Sequence, residues 1–222
     1  MPPTHFVRAL ASGGGDGSIA DAWTFEEALA AAVAGDVVEI GAGVYAVVPE
    51  NRFARMQPAN SGSEDAPIVF QAENRAISTP DAEARSIVVA RAGTGSLIGV
   101  DEENYIVFDG LDVRIDPAGT YVTTSEGSLV SIWHSRHVAF QYGIVDCGNQ
   151  PISGTDNWGA LFSQENAFLR VHHNHFINHA GTRENHSVIQ VYDTQDTSIY
   201  RNTIEGCHEA IWFKGEHAPP AT

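Results

Sequence analysis

The second half of the chain repeats one pattern of apolar and polar positions. Four segments, which start at Tyr105, His137, Phe168 and Asp196, align without gaps. Apolar and polar positions alternate within them, which is the period of a β-strand. A second short strand precedes every copy, and a further one begins at Ile211. The inward positions are Ile106, Phe108, Leu111 and Val113; Val138, Phe140, Gly143 and Val145; Leu169, Val171, Asn174 and Phe176; and Thr197, Ile199, Asn202 and Ile204.

Strands this short cannot bury an apolar face alone. The copies follow one another at intervals of 28 to 32 residues without a helical pattern between them. They therefore predict a solenoid whose equivalent strands stack in parallel, about 4.8 Å apart. In that stack Asn174 lies above Asn202, where the two amides can hydrogen-bond. The alternative is an antiparallel β-sandwich, which the absence of an Asn-Gly hairpin signal disfavours.

A short helix is predicted near the N-terminus. Thr24 and Glu27 form a capping box ahead of an alanine-rich run that ends at Gly35. This helix is expected to cover the open end of the solenoid and to shield its first strand edge. Residues 36–45 then form the first coil, whereas residues 71–91 fit the pattern poorly and are assigned only loosely.

This order of elements resembles the opening of secreted β-helix polysaccharide lyases, especially alginate-lyase and chondroitinase-type enzymes of the pectate-lyase-like superfamily. The shared features are the helix, a Gly-Asp pair, a strand, Gly-x-Tyr at 43–45 and Ala-Pro-Ile-x-Phe at 66–70. The resemblance extends from about Trp23 to Phe213. It implies an all-β, right-handed, single-stranded parallel β-helix of about seven coils with an N-terminal capping helix. It also implies a secreted or periplasmic lyase with a Lys or Arg base and often a calcium ion.

The whole chain, residues 1–222, is predicted to form one β-helix domain. Residues 1–35 are its N-terminal cap, residues 36–216 its coils and residues 217–222 a tail. No helical pattern follows Phe213, so an apolar end and a strand edge are expected to be exposed there. The chain is therefore interpreted either as an N-terminal fragment of a longer protein or as one that self-associates through this end.

Charge and composition restrict the possible partners. The 222 residues include 12 basic and 28 acidic side chains, and the formal charge of −16 argues against binding to nucleic acid or to an anionic membrane surface. An apolar fraction of 43% argues against disorder, and no apolar run is long enough to span a membrane. The first residues do not form a visible signal peptide. A cytoplasmic protein, or a chain that starts after a processing site, is therefore an alternative to secretion.

Stacking predicts that residues at equal offset form columns on the surface. One outward face combines aromatic, amide, acidic and basic side chains, the mixture that a carbohydrate groove needs. Its columns are Gly99, Ser131, Phe162, Gln190 and Trp212; Asp101, Trp133, Gln164, Tyr192 and Lys214; and Glu102, His134, Glu165, Asp193 and Gly215. The residues predicted to bind a polysaccharide are Trp133, Gln164, Gln190, Trp212 and His134. Scattered surface aromatics are the alternative.

Glu165 and Asp193 have the same offset on adjacent coils, so their backbones are expected about 5 Å apart. Two carboxylates this close are unfavourable unless a cation binds or one of them takes a proton. A Ca²⁺ ion held by both is therefore predicted, and no organic cofactor. The pair is alternatively the acid pair of a glycoside hydrolase, or two solvated loop acids.

Lys214 and Tyr192 are the candidate catalytic residues. β-Elimination of a uronate needs a base for the proton next to the carboxylate, a group that neutralises this carboxylate, and an acid for the leaving oxygen. Lys214 is the predicted base, Ca²⁺ the neutralising group and Tyr192 the acid, a division of roles that the resemblance implies. The alternative is that Lys214 forms a salt bridge with Glu209 or Glu216.

Three functions fit the predicted groove. A lyase cleaves a uronate-containing polysaccharide by β-elimination; a glycoside hydrolase or epimerase uses Glu165 and Asp193; and a non-catalytic module binds glycan or builds a surface structure. The resemblance and Lys214 favour the lyase.

Histidines and cysteines add two further expectations. His172, His173 and His175 lack zinc-site spacing and are predicted to be polar bend residues that pair with acids. Cys147 and Cys207 lie two coils apart, beyond the reach of a disulfide, and are predicted to be free and largely buried.

Overall fold

The computed structural model describes residues 1–47, 56–74, 85–93, 95–121, 128–149, 159–180 and 186–215. The elements are β1 (His5–Val7), α1 (Phe25–Ala31), β2 (Val37–Ile40), β3 (Gly43–Val47), β4 (Ile68–Ala72), β5 (Ser86–Gly93), β6 (Ile98–Asp101), β7 (Ile106–Asp109), β8 (Asp112–Tyr121), β9 (Ser128–Trp133), β10 (Ala139–Gln141), β11 (Ile144–Asp146), β12 (Gly159–Gln164), β13 (Arg170–His172), β14 (His175–Ile177), β15 (Ser187–Tyr192), β16 (Ser198–Tyr200), β17 (Thr203–Ile204) and β18 (Glu209–Lys214). Within these ranges no helix has the length and apolarity needed to cross a membrane.

The strands form three parallel sheets. Sheet 1 has the order β1-β2-β4-β7-β10-β13-β16, sheet 2 the order β17-β14-β11-β8-β5-β3, and sheet 3 the order β18-β15-β12-β9-β6. All pairings between these strands are parallel. Because neighbours in a sheet come from successive coils, the predicted parallel β-helix is confirmed, and the antiparallel sandwich is wrong.

The predicted vertical register is also confirmed. In sheet 3, Asp101 pairs with Trp133, Trp133 with Gln164, Gln164 with Tyr192, and Tyr192 with Lys214. Residues that are far apart along the chain therefore stand in one column of neighbouring positions.

An asparagine ladder supports the bend between sheets 1 and 2. The amide nitrogen of Asn174 donates to Oδ1 of Asn202 at 3.1 Å and to the carbonyl of Phe140 at 2.9 Å. Its oxygen accepts from the N–H of Gly143 at 3.0 Å. These bonds satisfy buried polar groups where the chain bends, and they confirm the predicted stacking of the two asparagines.

The N-terminal segment contains more than the predicted helix. The side chain of Thr24 accepts from the N–H of Glu27, and the capping box is complete. Phe25 is buried and packs at an angle to Phe70, with ring centroids 6.4 Å apart, so α1 covers the end of the core. β1, which falls in the segment predicted as a cap, pairs with β2 and extends sheet 1 by one strand.

Part of the loosely assigned segment 71–91, residues 75–84, lies outside the described residues. From Ser86 onward it forms the regular strand β5, which pairs with both β3 and β8. Arg85, directly before β5, is buried and forms an ion pair with Asp112. The carboxylate of Asp112 also accepts from Arg114 at 2.7 Å and from the N–H of Ile144 at 3.1 Å. The buried guanidinium is thus paired with a fully hydrogen-bonded carboxylate, as burial of a charge requires.

The last described coil is less covered than those before it. Phe213 is 61% exposed and Ile211 37%, whereas Val191, one coil earlier, is 2% exposed. Glu216 and the predicted tail lie outside the described residues. Self-association through this end stays a prediction.

Both cysteines are free. Cys147 is buried, and burial raises the pKa of its thiol well above the usual value. Cys207 is only partly buried, so the prediction of two largely buried thiols is wrong for this residue. The reason is its place after β17, near the less covered end of the solenoid.

Candidate functional site

A left-handed backbone conformation recurs at the turn after four of the five strands of sheet 3, namely β6, β9, β12 and β15. Glu102, His134, Glu165 and Asp193 have φ angles of 66°, 46°, 54° and 46°. Backbone hydrogen bonds join successive turns, such as the bond of 3.2 Å from the N–H of His134 to the carbonyl of Gln164. Because the turn repeats on these four successive coils, the four residues stand in a column, as predicted.

His134 lies between the carboxylate of Asp101, at the end of β6, and that of Glu165 in this column. Its Nδ1 is 2.9 Å from Oδ1 of Asp101, and its Nε2 is 3.6 Å from Oε2 of Glu165. The second carboxylate oxygen of Glu165 accepts from Nε2 of Gln164 at 3.0 Å. The side chains of His134 and Glu165 are 45% and 53% exposed. Three predicted site residues, His134, Gln164 and Glu165, are therefore in direct contact and face solvent.

His134 and Glu165 line a groove along the turn between sheets 3 and 1. We call it the turn groove; its volume is about 570 Å³, within the range of ligand sites. It passes over three successive coils, and its walls are mainly polar. The lining residues are His134, Arg136, Glu165, Asn166, Ala167, Asp193 and Gln195.

Arg136 is the functional candidate that sequence reasoning missed. Its side chain is exposed and lines the turn groove beside His134. Within the described residues its guanidinium forms no ion pair, whereas Arg8, Arg85 and Arg114 are all paired. Its position two residues after His134, in the same turn, could have indicated from the sequence that it belongs to the site. An unpaired guanidinium in a groove is suited to bind a carboxylate.

Lys214 lies beside the end of the turn groove. A smaller hollow of about 260 Å³ is lined by Lys214 and Phe213, and it shares Asp193 and Gln195 with the turn groove. Nζ of Lys214 is 5.5 Å from the centre of the Tyr192 ring, a cation–π contact. The predicted pair of catalytic residues is therefore in contact.

Tyr192 is buried, with 7% of its surface exposed. Burial raises the pKa of its hydroxyl, and the carboxylate of Glu209 raises the pKa further. Since the usual value is already near 10, the hydroxyl keeps its proton at neutral pH.

The aromatic face of sheet 3 exists, but its centre is covered. The ring centroids of Trp133 and Phe162 are 4.9 Å apart, and those of Phe162 and Tyr192 are 5.2 Å apart. Phe162 is 8% exposed and Gln190 0%. The prediction that this whole face is open to substrate is thus wrong at its centre, because rings on neighbouring coils cover one another.

The remaining predicted sugar-binding positions lie at the margins of that covered centre. Trp133, Gln164 and Trp212 are partly buried, and Lys214 is exposed. Gln190 lies between Phe162 and Trp212 in its column. The side chains at the margins can therefore contact a polysaccharide, whereas the buried Gln190 cannot do so in this conformation.

Glu165 and Asp193 stand on adjacent coils in the turn groove, as predicted. Across the described ranges, no group of three or more His, Cys, Asp or Glu side chains is arranged to hold a metal ion. Ca²⁺ takes six to eight oxygen ligands, so these two carboxylates would supply only part of its shell.

The histidine run forms bend contacts. Nδ1 of His172 lies 2.8 Å from Nδ1 of His173, and Nε2 of His175 lies 3.2 Å from a carboxylate oxygen of Glu205. The expected pairing with an acid is therefore confirmed for His175, whereas His172 contacts its neighbouring histidine.

The sequence matches no protein-family model and none of the curated proteins with which it was compared. Similar solved structures are pectate lyase Pel9A (14% identity, TM-score 0.46, 87% of this chain and 48% of that chain), a rhamnogalacturonan lyase (14%, 0.45, 96% and 62%) and a putative glycosyl hydrolase from Parabacteroides merdae ATCC 43184 (8%, 0.28, 75% and 82%). The chain spans about half of the first of these proteins. Similarity at this level concerns the fold alone, and the assignment rests on the three parallel sheets of the chain itself. The three parallel sheets, with neighbouring strands from successive coils, therefore identify the chain as a parallel β-helix protein at the level of the fold.

Proposed function

We propose that this protein binds a uronate-containing polysaccharide in the turn groove and cleaves it by β-elimination. The observation that carries the proposal is Arg136, which forms no ion pair with any described residue and lines a groove that continues to Lys214. An open groove along successive coils suits a linear polymer, and a guanidinium suits its carboxylate. The walls also offer His134 as a hydrogen-bond partner for sugar hydroxyls, and Gln164 contacts Glu165, which lines the groove.

The proposed reaction assigns one task to each group. The amine of Lys214 takes the proton on the carbon next to the uronate carboxylate. The electrons of that C–H bond form a carbon–carbon double bond, and the bond to the glycosidic oxygen breaks. The hydroxyl of Tyr192, which keeps its proton at neutral pH, protonates the leaving oxygen.

Arg136 is proposed to neutralise the uronate carboxylate. A Ca²⁺ ion on Glu165 and Asp193 is a second proposal for the same task. A cation bound there would offset the two carboxylates and draw electron density from the uronate, with substrate and water completing its shell.

Hydrolysis is the second candidate function. The observation that favours it is the presence of Glu165 and Asp193 in the same groove on adjacent coils. One carboxyl group would protonate the leaving oxygen, and the other would act on water or on the sugar.

The experiment incubates the protein with polygalacturonate, alginate and chondroitin, with and without added Ca²⁺. β-Elimination gives an unsaturated product that absorbs ultraviolet light, whereas hydrolysis gives reducing ends without this absorbance. Lys214→Ala is expected to lower turnover about 10²–10⁴-fold, the usual contribution of a positioned base. The control is Arg201→Ala, which removes an exposed cation outside the groove.

Other results of this experiment would contradict the base assignment or favour another function. Unchanged turnover in Lys214→Ala contradicts the base assignment. Reducing ends alone favour hydrolysis, an altered uronate configuration without cleavage indicates an epimerase, and binding without any reaction indicates a non-catalytic module.

A further inference from the structure

A stack of three rings follows the turn that leads into sheet 1. The ring centroids of Tyr105 and His137 are 4.4 Å apart, and those of His137 and Phe168 are also 4.4 Å apart, with interplanar angles of 4° and 10°. All three residues have left-handed backbones, with φ of 57° to 58°. On the next coil this position is Asp196, with φ of 50°, so the stack ends at Phe168.

Phe168 presents an open ring face at the end of this stack. Its surface is 41% exposed, in contrast to the covered Phe162 of sheet 3 at 8%. Within the described residues its one aromatic neighbour is His137. A flat apolar ring face that is open to solvent is a favourable contact for the C–H groups of a sugar.

A second groove lies beside the stack, on the outer side of sheet 1. We call it the ladder groove; its volume is about 360 Å³, above the lower limit of typical ligand sites. Val107 and Ala139 are among its apolar lining residues, and Glu64 and Arg170 are its acidic and its basic side chain. Within the part of the chain that the structure describes, neither of these two charges forms an ion pair. The lining residues are Glu64, Pro67, Tyr105, Val107, His137, Val138, Ala139, Phe168 and Arg170.

We propose that the ladder groove binds a second stretch of the same uronate polysaccharide that occupies the turn groove. The ring face of Phe168 packs against the sugar, and the guanidinium of Arg170 binds a carboxylate. The two grooves flank one turn, because Arg136 lines the turn groove and the next residue, His137, lines the ladder groove. The inference rests on the proposed function only for the class of polymer, a uronate polysaccharide. It does not require that this polymer is cleaved.

The size of the ladder groove favours a glycan over a second copy of the chain. Nine residues line it, whereas a stable protein interface uses about 20–30 residues on each side. A polymer strand needs only a narrow contact, and it gains strength from simultaneous contact with the neighbouring turn groove.

The test measures polymer affinity by titration calorimetry with polygalacturonate and alginate as probes. Lys214→Ala serves as the background, so that the polymer is not cleaved. In this background, Phe168→Ala and Arg170→Gln are each expected to weaken binding of the better-bound polymer about tenfold, the loss of one aromatic or charged contact. Arg136→Ala combined with Phe168→Ala is expected to show the product of the two single effects, because the grooves are separate.

The chain supplies matched controls for both substitutions. Tyr200 is 44% exposed and stacks on His172 at 4.7 Å, much as Phe168 stacks on His137. Tyr200→Ala and Arg201→Gln are expected to change polymer affinity less than about twofold, since surface substitutions away from a site have small effects. Thermal unfolding of each variant verifies that it is folded, and Arg170→Gln keeps the test decisive if Phe168→Ala unfolds.

The inference is overturned if neither substitution in the ladder groove lowers affinity, if the controls lower it equally, or if the parent binds neither polymer. It is also overturned if Phe168→Ala instead converts a dimer into a monomer in sedimentation, since the groove would then hold a second copy. Turnover that persists in Lys214→Ala contradicts the proposed elimination and leaves this inference intact.

Discussion

Nδ1 of His134 lies 2.9 Å from Oδ1 of Asp101. Asp101 is on the preceding coil, where it pairs with Trp133, the residue before His134. The carboxylate fixes the orientation of the imidazole, so that Nε2 is directed toward Glu165 in the turn groove. A side chain whose rotamer is held in this way binds a ligand without a further loss of conformational entropy. Asp101 is therefore a positioning residue for His134.

Asp101→Asn is expected to raise the KM for the cleaved polymer about tenfold, with a smaller change in kcat. A charge-assisted hydrogen bond is lost, and His134 becomes free to rotate. Initial rates over a range of polymer concentrations measure the two constants. Glu102→Gln, which changes an exposed acid on the same turn, is the control. An unchanged KM in Asp101→Asn contradicts the positioning role.

Asn174→Ala is expected to lower the free energy of unfolding by about 3 kcal/mol, because it leaves several buried polar groups without partners. Those groups include the N–H of Gly143 and the carbonyl of Phe140. Urea denaturation measures the change. Asn149→Gly removes an exposed amide at a left-handed position (φ 51°) that glycine adopts without strain, and it is expected to change stability by less than about 0.5 kcal/mol. Equal effects of the two substitutions would mean that the asparagine ladder contributes little to the free energy of unfolding.

The two thiols are expected to differ in reactivity with a thiol-specific reagent in the native protein. Cys207 is partly exposed and should react without unfolding, whereas Cys147 should react only after denaturation. Burial raises the pKa of both thiols, most strongly that of Cys147, so both react more slowly than a free thiolate would. Labelling followed by mass spectrometry of peptides identifies the modified residue. Rapid native labelling of Cys147 would contradict its buried position.

Acidification is expected to destabilise the fold in part through His172. Burial lowers the pKa of its imidazole, and the neighbouring His173 and Arg170 lower it further. As the pH falls through the usual value of 6.5, the unfolded state takes up a proton before the folded state does, so stability decreases. The neutral His172 therefore makes its full contribution to the free energy of unfolding above pH 6.5. This contribution is lost as the pH falls from there to the lower pKa of the folded state.

His172→Gln is therefore expected to reduce the loss of unfolding free energy between pH 7 and pH 5, two values on either side of the ordinary pKa of histidine. Urea denaturation at both pH values measures this loss. His208→Gln, at an exposed histidine, is the control and should leave the pH dependence as in the parent. The same slope in His172→Gln and the parent contradicts the assignment.

The sequence alone determined the coil register and the residues that share a column. Side chains alternate with period two along a strand, and a repeated apolar pattern can be buried in only one vertical alignment. For this reason the pairing of Tyr192 with Lys214 and of Asn174 with Asn202 could be predicted correctly.

The tertiary structure alone decided which outward side chains are accessible and how charges are paired. Gln190 and Phe168 both lie outside the core pattern, yet the first is covered and the second is open. Whether such a side chain is shielded from solvent depends on the rings of neighbouring coils and on where a stack of rings ends. Likewise, Arg85 is buried against Asp112 whereas Arg136 stands unpaired in a groove of the described structure, because pairing depends on distances between residues that the linear pattern does not contain.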